Sequence, residues 1–597
     1  MSKIISARLA SLRKAMDRQG IEAVILPSTD PHLSEYVPDH WKVREWISGF
    51  TGSAGTAVVT SDRAALWTDS RYFLQATDQL AGTEFTLMKE RMPKTPSISE
   101  WLSRVLTPHA VVGIDGWTHS ANDAMALRRE LQATGHELRT DFILPTDEWA
   151  DRTPLPDDVA VEHPLCYAGV TCLQKIARLR QKLHERGLEA VLIPTLDDIA
   201  WTLNIRGNDI HCNPVTVSYL IVSLHKSYWF VDLKKVPADT ARYLTNEGVS
   251  ILPYDAIQEK LKEYADTPFW VDGSRTNYAL YNILADSPKL YDKEPLPVPY
   301  LKMVKNETEM EGFRHAMLRD GVALVKFLKW LEGAVPAGGQ TEMSIDRQLY
   351  AFRAEQPLFK GISFDTIAGY KAHGAIVHYE ATPETDIPLQ SEGLLLLDSG
   401  AQYLDGTTDI TRTIALGEPT PEEKHDYTLV LKAHIGLSVA KFPQGTCGTQ
   451  LDALAHAKLW EEGMNYMHGT GHGVGSYLNV HEGPHQIRAN HMPTPLQPGM
   501  TVTDEPGLYL AGRHGIRTEN TLLVVPYMET EFGAFYQFEP LTLCPIDTKP
   551  IDTTMLTLAE VEWLNDYHRT VYERLAPHLD EEHRQWLTEK TKEIHKS

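Results

Sequence analysis

The segment HGTGHGVGSYLNVHEGP, from His468 to Pro484, places three histidines and one glutamate among five glycines. Imidazole can bind a metal ion or transfer protons, and it can also simply pack in a glycine-rich loop. A zinc finger is excluded because the paired cysteines that such a site needs are not nearby. Carboxylates elsewhere in the chain decide between the remaining interpretations, because a metal or acid–base site would need them.

Carboxylates occur in two predicted hairpins that bracket this segment. Asp398 and Asp409 lie eleven residues apart in LLLLDSGAQYLDGTTDITRT, where a buried strand, an LDG turn and a returning strand are expected. Glu505 and Glu519 lie on either side of an AGRHG turn in the second hairpin. Two carboxylates on one face of a hairpin raise each other's pKa unless a cation intervenes. A single acidic residue near a turn is usually only solvated, but two such hairpins favour a functional site.

Four carboxylates and at least one imidazole form a ligand set for two divalent ions that share carboxylates and a water. Oxygen-rich coordination favours Mn²⁺ or a similar ion over a structural zinc. In this hypothesis the glycine-rich loop between residues 468 and 484 provides one ligand. The other histidines of the loop are then available for the chemistry.

Two stretches of similar build precede these motifs. Each predicts an amphipathic helix, a glycine that ends the helix and a buried strand, with the shared pattern G-[IL]-E-A-V. The two glycines, Gly20 and Gly187, lie 167 residues apart. Each stretch is followed by a short strand with aromatic residues and an aspartate, at Asp69 and at Asp232. Two α/β domains in tandem explain this repetition best.

Proline-rich polar stretches separate the predicted domains, between residues 144 and 164 and again between residues 293 and 300. The segment KNETEMEGFRHAM then predicts a capped helix with glutamates in its first turn. The following chain alternates helices with hairpins, so the fold class expected is α/β for the first two domains and α+β for the third. The predicted domains are residues 1–150, 151–305 and 306–597.

Composition and charge limit the possible partners and location. The formal net charge of −23 disfavours nucleic acid and anionic membranes, and it suits amine-bearing substrates. The N-terminus MSKIISARLASLRKAMDRQG predicts an amphipathic helix instead of a signal peptide, and no run of 18 apolar residues occurs. Five cysteines without a C-x-x-C motif indicate free thiols in a reducing compartment. We therefore expect a cytoplasmic protein.

The order Asp398, Asp409, His472, Glu505 and Glu519 resembles that of the dinuclear metallopeptidases with the pita-bread fold. This group includes methionine aminopeptidase, prolidase and aminopeptidase P. The resemblance is carried by DSG, D-I-T-R-T, HGTGHGVG, DEPG and GIRTEN. The stretches WTLNIRGNDIHCNPV and FEPLTLCPIDTKPID are similar to the long, three-domain cytosolic Xaa-Pro aminopeptidases, and the likeness runs from GFTGSAGTAVVT to EVEWLNDYH. It implies two creatinase-like α/β domains followed by a pita-bread catalytic domain.

The resemblance implies a role in metal binding for each matching carboxylate and for one histidine. Asp398 would hold one metal ion, and His472 with Glu505 would hold the other. Asp409 and Glu519 would bridge the two ions. The two ions would be divalent, with Mn²⁺ expected, and the family implies a homodimer.

Five further residues match family positions around the substrate and the metals. His378, His468 and His481 would surround the substrate, and Tyr509 would lie near the metals. Arg517, two residues before a predicted bridging ligand, would support that ligand by hydrogen bonds. The remaining histidines of this region match no motif position and are expected only to pack or be solvated: His373, His485, His491 and His514.

The expected reaction removes the first residue from a peptide whose second residue is proline. A hydroxide that bridges the two metals would attack the scissile carbonyl. Glu505 would act as general base and carry the proton to the proline nitrogen, while His481 and His378 would position the carbonyl and the ring. Two alternatives remain: a prolidase confined to Xaa-Pro dipeptides, and a metal-free pita-bread module that only binds peptides.

Overall fold

The computed structural model describes residues 2–596, and its internal contacts divide the chain into two compact units. The first unit comprises the residues up to His163 together with Val170–Val298. The second comprises Pro164–Gly169 and the residues from Pro299 onward. The domain boundaries expected at residues 150 and 305 stay predictions.

A six-stranded sheet forms in the first 150 residues. The strands are β1 (Ala23–Pro27), β2 (Thr56–Thr60), β3 (Ala64–Thr68), β4 (Phe85–Lys89), β5 (Val111–Gly113) and β6 (Glu137–Arg139), and the helices are α1 (Ser2–Gln19), α2 (Val43–Ser48), α3 (Phe73–Gln79), α4 (Ile98–Val105) and α5 (Ala121–Ala133). The strand order is β4-β3-β2-β1-β5-β6. Along β1, Val24 and Leu26 join one buried cluster while Ala23 and Ile25 join another, because successive side chains point to opposite faces. Both faces of this sheet are therefore covered.

A second six-stranded sheet follows. The strands are β7 (Val161–Glu162), β8 (Ala190–Ile193), β9 (Ile205–Arg206), β10 (Ser218–Ser223), β11 (Ser227–Val231), β12 (Val249–Pro253), β13 (Phe269–Trp270) and β14 (Leu290–Tyr291), and the helices are α6 (Leu165–Ala168), α7 (Cys172–Arg186), α8 (Leu196–Leu203), α9 (Ala238–Asn246), α10 (Ile257–Lys262), α11 (Tyr278–Leu284) and α12 (Pro297–Lys302). The sheet order is β12-β11-β10-β8-β13-β14, and β7 pairs separately with β9.

The two sheets have the same topology. In each, the central strand is antiparallel to its neighbour on one side and parallel to its neighbour on the other, as β1 is to β2 and β5, and β8 to β10 and β13. Asp69 and Asp232 occupy matching places, since each caps a short 3-10 turn after the third strand of its sheet. Helices α1 and α7 end at Gly20 and Gly187, both with φ of +65°. The predicted tandem of α/β folds is confirmed.

The C-terminal part is α+β, as predicted. Its strands are β15 (Phe359–Ile362), β16 (Ile367–Tyr370), β17 (Leu394–Ser399), β18 (Ala401–Tyr403), β19 (Gly406–Thr407), β20 (Ile410–Ala415), β21 (Lys441–Pro443), β22 (Gly471–Gly473), β23 (Glu482–Ile487), β24 (Thr501–Asp504), β25 (Gly507–Leu510), β26 (His514–Arg517), β27 (Asn520–Thr530) and β28 (Gly533–Pro540). The helices are α13 (Glu307–Ala337), α14 (Glu342–Ala354), α15 (Pro421–Ser438), α16 (Gly448–Glu461), α17 (Leu558–Leu575) and α18 (Glu581–Lys590).

Small antiparallel sheets make up the β part of this region. Strand orders are β15-β18-β19, β16-β17-β20 and β21-β28-β27-β24, with separate pairs β22-β23 and β25-β26. Helix α13 begins, as the sequence predicts, at a capping box in which Asn306 and Glu309 satisfy each other's backbone N–H groups. Between residues 2 and 596, no helix combines the length and the apolar character needed to cross a membrane.

Candidate metal centre

The four predicted carboxylate ligands lie at or beside the ends of paired strands. Asp398 is the penultimate residue of β17 and faces Thr411 of β20 across the ladder, while Asp409 directly precedes β20. Glu505 directly follows β24, and Glu519 directly precedes β27. Three of the four are therefore outside the strands on which the sequence placed them. A residue outside the ladder can turn its side chain toward a point that the regular alternation of a strand would not reach.

Two backbone hydrogen bonds join the segments that carry these residues. The Glu519 N–H donates to Thr411 O at 3.1 Å, which ties the second hairpin to the first. The Glu505 N–H donates to Thr470 O at 2.8 Å, which ties the second hairpin to the histidine-rich segment. These bonds fix the relative positions of the three segments.

His472 lies on strand β22, so the prediction of a loop at this histidine was wrong. Its N–H donates to Thr503 Oγ1 at 3.1 Å, and β22 packs beside β24. A Cβ atom added to Gly471 would come within 1.9 Å of Thr503 O. The glycine beside His472 is therefore required by close backbone approach, which places the imidazole next to Glu505.

The His472 imidazole faces two of the carboxylates. Its Nδ1 lies 2.9 Å from Gly473 O, and because a carbonyl oxygen only accepts, Nδ1 carries a hydrogen. In the neutral ring Nε2 then presents a lone pair, and it lies 3.4 Å from both Asp409 Oδ2 and Glu505 Oε1. Ligand atoms of Asp409, His472 and Glu519 all lie within 4.8 Å of one another. Lone pairs that converge in this way are typical of a cation site.

The electrostatics of the cluster also suit cations. Burial, followed by the charge of Asp398, raises the pKa of Asp409 well above its usual value. Burial and the charge of Asp409 do the same for the pKa of Glu519, and burial raises the pKa of Glu505 to about 7. The buried Asp398 Oδ1 has no hydrogen-bond partner among the residues described. These residues therefore fit a pair of divalent ions, which would offset the repulsion and supply the missing partner.

Arg517 is buried and connects several groups of the site. Its Nη2 and Nε donate to Asp398 Oδ2 at 2.7 and 3.2 Å, and Nη1 donates to Tyr509 Oη at 2.7 Å. Nε also lies 3.1 Å from Thr411 Oγ1, which in turn donates to Glu519 Oε2 at 2.7 Å. Arg517 thus contacts Asp398 directly and reaches the predicted bridging ligand Glu519 through Thr411.

Thr411 was not singled out from the sequence. The signal was present in D-I-T-R-T, because a period of two places Thr411 on the same side of the chain as Asp409. Its backbone carbonyl and its hydroxyl both contact Glu519, so this threonine aligns one predicted ligand with the first hairpin.

Tyr509 links Arg517 to His468. The His468 Nε2 lies 2.8 Å from Tyr509 Oη, and the His468 Nδ1 lies 2.8 Å from Gly469 O. The phenol oxygen accepts from Arg517, so its hydrogen is available for His468 Nε2, while Nδ1–H donates to the carbonyl. Burial raises the pKa of Tyr509 to about 12, which keeps this hydrogen in place at neutral pH.

The other two predicted substrate histidines lie on segments that contact the site. The rings of His481 and His472 are 4.4 Å apart between centroids and nearly perpendicular. His378 follows Val377, whose carbonyl oxygen accepts from Arg517 Nη2 at 3.4 Å. Three of the four histidines without an assigned role have buried structural partners: His373 with Glu342, His485 with Thr501 O, and His514 with Asp426.

Family comparisons cover almost the whole chain. Residues 311–526 match "Metallopeptidase family M24", and residues 534–594 match the C-terminal region of that family. Residues 8–139 and 151–309 each match a "Creatinase/Prolidase N-terminal domain". Each of the two similar sheets, and the α+β region after them, therefore lies in a range that matches a family model of its own.

The individual relatives include long aminopeptidases and a shorter dipeptidase. "Aminopeptidase P2" of Arabidopsis thaliana is 41% identical, over 99% of this chain and 89% of that protein. A crystal structure of X-prolyl aminopeptidase from Caenorhabditis elegans, described as a cytosolic enzyme with a di-nuclear active site, is 36% identical with a TM-score of 0.94, covering 99% of this chain and 100% of the other. An Xaa-Pro dipeptidase from Bacillus anthracis is 26% identical with a TM-score of 0.50, and it covers only 63% of this chain but 99% of its own.

The shorter dipeptidase thus lacks a counterpart for more than a third of the chain, whereas the aminopeptidases match it from end to end. The chain therefore belongs to the Xaa-Pro aminopeptidase family, the three-part enzymes of the M24 metallopeptidases with two creatinase-type regions and a pita-bread hydrolase fold.

Proposed function

We propose that this protein removes the N-terminal residue from peptides whose second residue is proline. The observation that carries the proposal is the convergence of the His472 Nε2 lone pair with Asp409, Glu505 and Glu519 in a buried cluster. The full-length likeness to aminopeptidases P supports the same substrate class. An X-Pro bond has no amide hydrogen, so peptidases that hydrogen-bond an extended substrate through that group handle it poorly, whereas a metal site does not rely on that donor.

The five predicted ligands would hold two divalent ions. Asp398 would bind one ion, His472 and Glu505 the other, and Asp409 and Glu519 would bind both. Mn²⁺ is the ion that we propose, because carboxylate oxygens dominate the set. When bound, such ions lower the pKa of a water so that hydroxide forms near neutral pH, and they offset charge that develops on the carbonyl oxygen.

Glu505 is the residue that we propose as general base and proton carrier. Its Oε1 lies 3.4 Å from His472 Nε2, which places the carboxylate next to the proposed ion and so next to the water that it would deprotonate. Thr503 Oγ1 donates to Glu505 Oε1 at 3.1 Å, which orients the carboxylate. The departing proline nitrogen must gain a proton before it leaves, and Glu505 would deliver the proton that it removed from water.

Three histidines would bind and orient the peptide, and Arg517 would support the residues around them. His481, next to His472, and His378, next to the Arg517 contact, would position the scissile carbonyl and the proline ring. His468 is held by Tyr509 in the tautomer with hydrogen on Nδ1. Arg517 would hold the side chains of Asp398 and Tyr509 in position by hydrogen bonds. The carboxylates of the cluster would attract the free α-amine of the substrate. This attraction would restrict cleavage to the amino terminus of a peptide.

The decisive experiment follows product release from three substrates by mass spectrometry: an Xaa-Pro-Pro peptide, an Xaa-Pro dipeptide and an Xaa-Ala control peptide. Each is incubated with enzyme as purified, after chelation, and after chelation and addition of Mn²⁺. The proposal expects single-residue release from the longer proline peptide, loss with chelator and recovery with Mn²⁺. Activity on the dipeptide alone would identify a prolidase. Protein that contains no metal and cleaves none of the peptides would indicate a binding module.

A cytoplasmic location and a homodimer are part of the proposal. The C. elegans relative is described as cytosolic. The absence of a membrane-spanning helix between residues 2 and 596 is compatible with the proposed cytoplasmic location. Fractionation of cells and sedimentation of the purified protein test these two points separately.

A further inference from the structure

Glu342, at the start of α14, has a fully buried side chain with 0% exposure. Three donors surround its carboxylate, and all three lie between residues 370 and 379. The Tyr370 N–H donates at 2.8 Å, His373 Nδ1 lies 2.9 and 3.0 Å from the two oxygens, and Tyr379 Oη donates at 2.8 Å. A buried carboxylate is costly unless its oxygens are satisfied in this way. One side chain therefore holds a single short segment at three points.

The carboxylate also fixes the hydrogens of its partners. Because an ionised carboxylate only accepts, Nδ1 of His373 carries a hydrogen. Burial raises the pKa of Tyr379, so the phenol keeps the hydrogen that it donates. The His373 and Tyr379 rings are 4.4 Å apart between centroids, which adds packing to the polar contacts. The arrangement is a satisfied network that specifies one conformation of the segment.

The same segment also lies against the strand that carries Arg517. A Cβ atom added to Gly515 of β26 would come within 1.7 Å of Gly374 O, so the two backbones are in direct contact. Further along, Arg517 Nη2 donates to Val377 O at 3.4 Å. The segment from residue 370 to 379 is thus held both by Glu342 and by β26. His378 lies within it, between Val377 and Tyr379.

We propose that Glu342, together with His373 and Tyr379, is a positioning unit for His378. The unit fixes the backbone on both sides of His378 and so sets the direction of its imidazole toward the substrate. This inference rests on the proposed function, because it takes His378 to contact the substrate. His373, which matches no motif position in the sequence, is a part of the unit.

The test compares two substitutions that each delete a buried tyrosine hydroxyl. Tyr379→Phe removes a donor to Glu342, and Tyr403→Phe removes a donor to the buried Asp320, which lies 3.1 Å from Tyr403 Oη. Both lose one hydrogen bond to a buried carboxylate, so similar losses of thermal stability are expected. Tyr379→Phe should lower kcat/KM for an Xaa-Pro-Pro peptide about tenfold, chiefly through kcat, by the loss of one charge-assisted hydrogen bond. Tyr403→Phe should leave kcat/KM unchanged.

A double-mutant cycle shows whether the unit acts through His378. Tyr379→Phe and Glu342→Gln are each combined with His378→Ala, and metal content is measured in every variant. If the unit positions His378, each substitution lowers kcat/KM in the wild-type background and has no further effect in the His378→Ala background. Additive losses, or equal losses of kcat/KM in Tyr379→Phe and Tyr403→Phe, would overturn the inference. Wild-type activity of His378→Ala alone would instead contradict the role of His378 in the proposed function.

Discussion

His472 Nε2 lies 3.4 Å from Asp409 Oδ2, and in the neutral ring both atoms direct lone pairs at each other because the imidazole hydrogen points to Gly473 O. Such a pair is repulsive by itself. A cation between the two atoms would convert the repulsion into coordination, and this change would explain how a buried group of four carboxylates is compatible with a stable fold.

Asp409→Asn removes the charge of a predicted bridging ligand while preserving its shape. We expect kcat/KM to fall on the order of a thousandfold, because the shared water is activated only when both ions are held. Metal analysis should show fewer than two ions per chain. Asp405→Asn is the matched control, since Asp405 is also buried, lies four residues earlier and pairs with Arg319. It should retain both metals, and near-normal turnover of Asp409→Asn would contradict the bridging role.

Arg517→Lys tests the contacts that a guanidinium makes and an ammonium cannot. Arg517 binds Asp398 through Nε and Nη2 and also reaches Tyr509, whereas lysine offers one point of contact. We expect metal affinity and kcat/KM to fall about 10- to 100-fold. Arg353→Lys is the control, because Arg353 makes a comparable buried pair with Asp320 at 2.9 and 3.0 Å. It should lower stability by about 2 kcal/mol and leave metal affinity unchanged.

Removal of the metals should lower thermal stability as well as activity. Ions that bind the folded chain stabilise it by mass action, and here they also remove repulsion among buried carboxylates. We expect the midpoint of thermal unfolding to fall after chelation, to recover with Mn²⁺, and to rise further with the logarithm of the Mn²⁺ concentration once the site is occupied. Differential scanning calorimetry across a Mn²⁺ titration measures this effect. A midpoint that is the same with and without metal would argue against binding at a buried site.

His568 should make the protein sensitive to acid. Burial, followed by the charge of Arg412, lowers its pKa to about 4, and its Nε2 accepts from the Ile546 N–H at 3.0 Å. The unfolded chain binds a proton near pH 6.5, so the contribution is complete above that pH and is lost as the pH falls through 4. The full loss of unfolding free energy from this group is about 3 kcal/mol. Urea unfolding between pH 7 and 4 measures it, and His568→Gln, whose amide oxygen can accept the same bond, should flatten this part of the curve. An acid limb of the same steepness in that variant would contradict the assignment.

The five proposed ligands could be selected from the sequence because residue type and order distinguish them. The geometry was less predictable. Asp409, Glu505 and Glu519 were expected on strands, but each lies just outside one, since the ladder ends where the side chains must turn inward. His472 was expected in a flexible loop because glycine is permissive in turns. In the structure Gly471 instead serves close packing of β22 on β24, a reason that depends on a partner strand about thirty residues away.

The network around Glu342 could not be predicted from the sequence. Glu342 and His373 are separated by 31 positions and belong to no recognisable pattern, so nothing in the local sequence indicates that they meet. Their contact follows from the packing of α14 against β16 and the segment after it. Polar groups buried by tertiary packing are in general recognised only once the fold is known, because local propensity does not report burial.

The bond from Glu519 N–H to Thr411 O has a consequence for the order of folding events. Asp398 and Glu519 are about 120 positions apart, so the proposed ions would find their full set of ligands only after distant segments have already come together. Metals therefore cannot nucleate this chain as they do a zinc finger, and they should retard its unfolding while leaving its refolding rate nearly unaltered. Stopped-flow measurements with and without Mn²⁺ would then show slower unfolding when the metal is present and nearly the same refolding rate in both conditions.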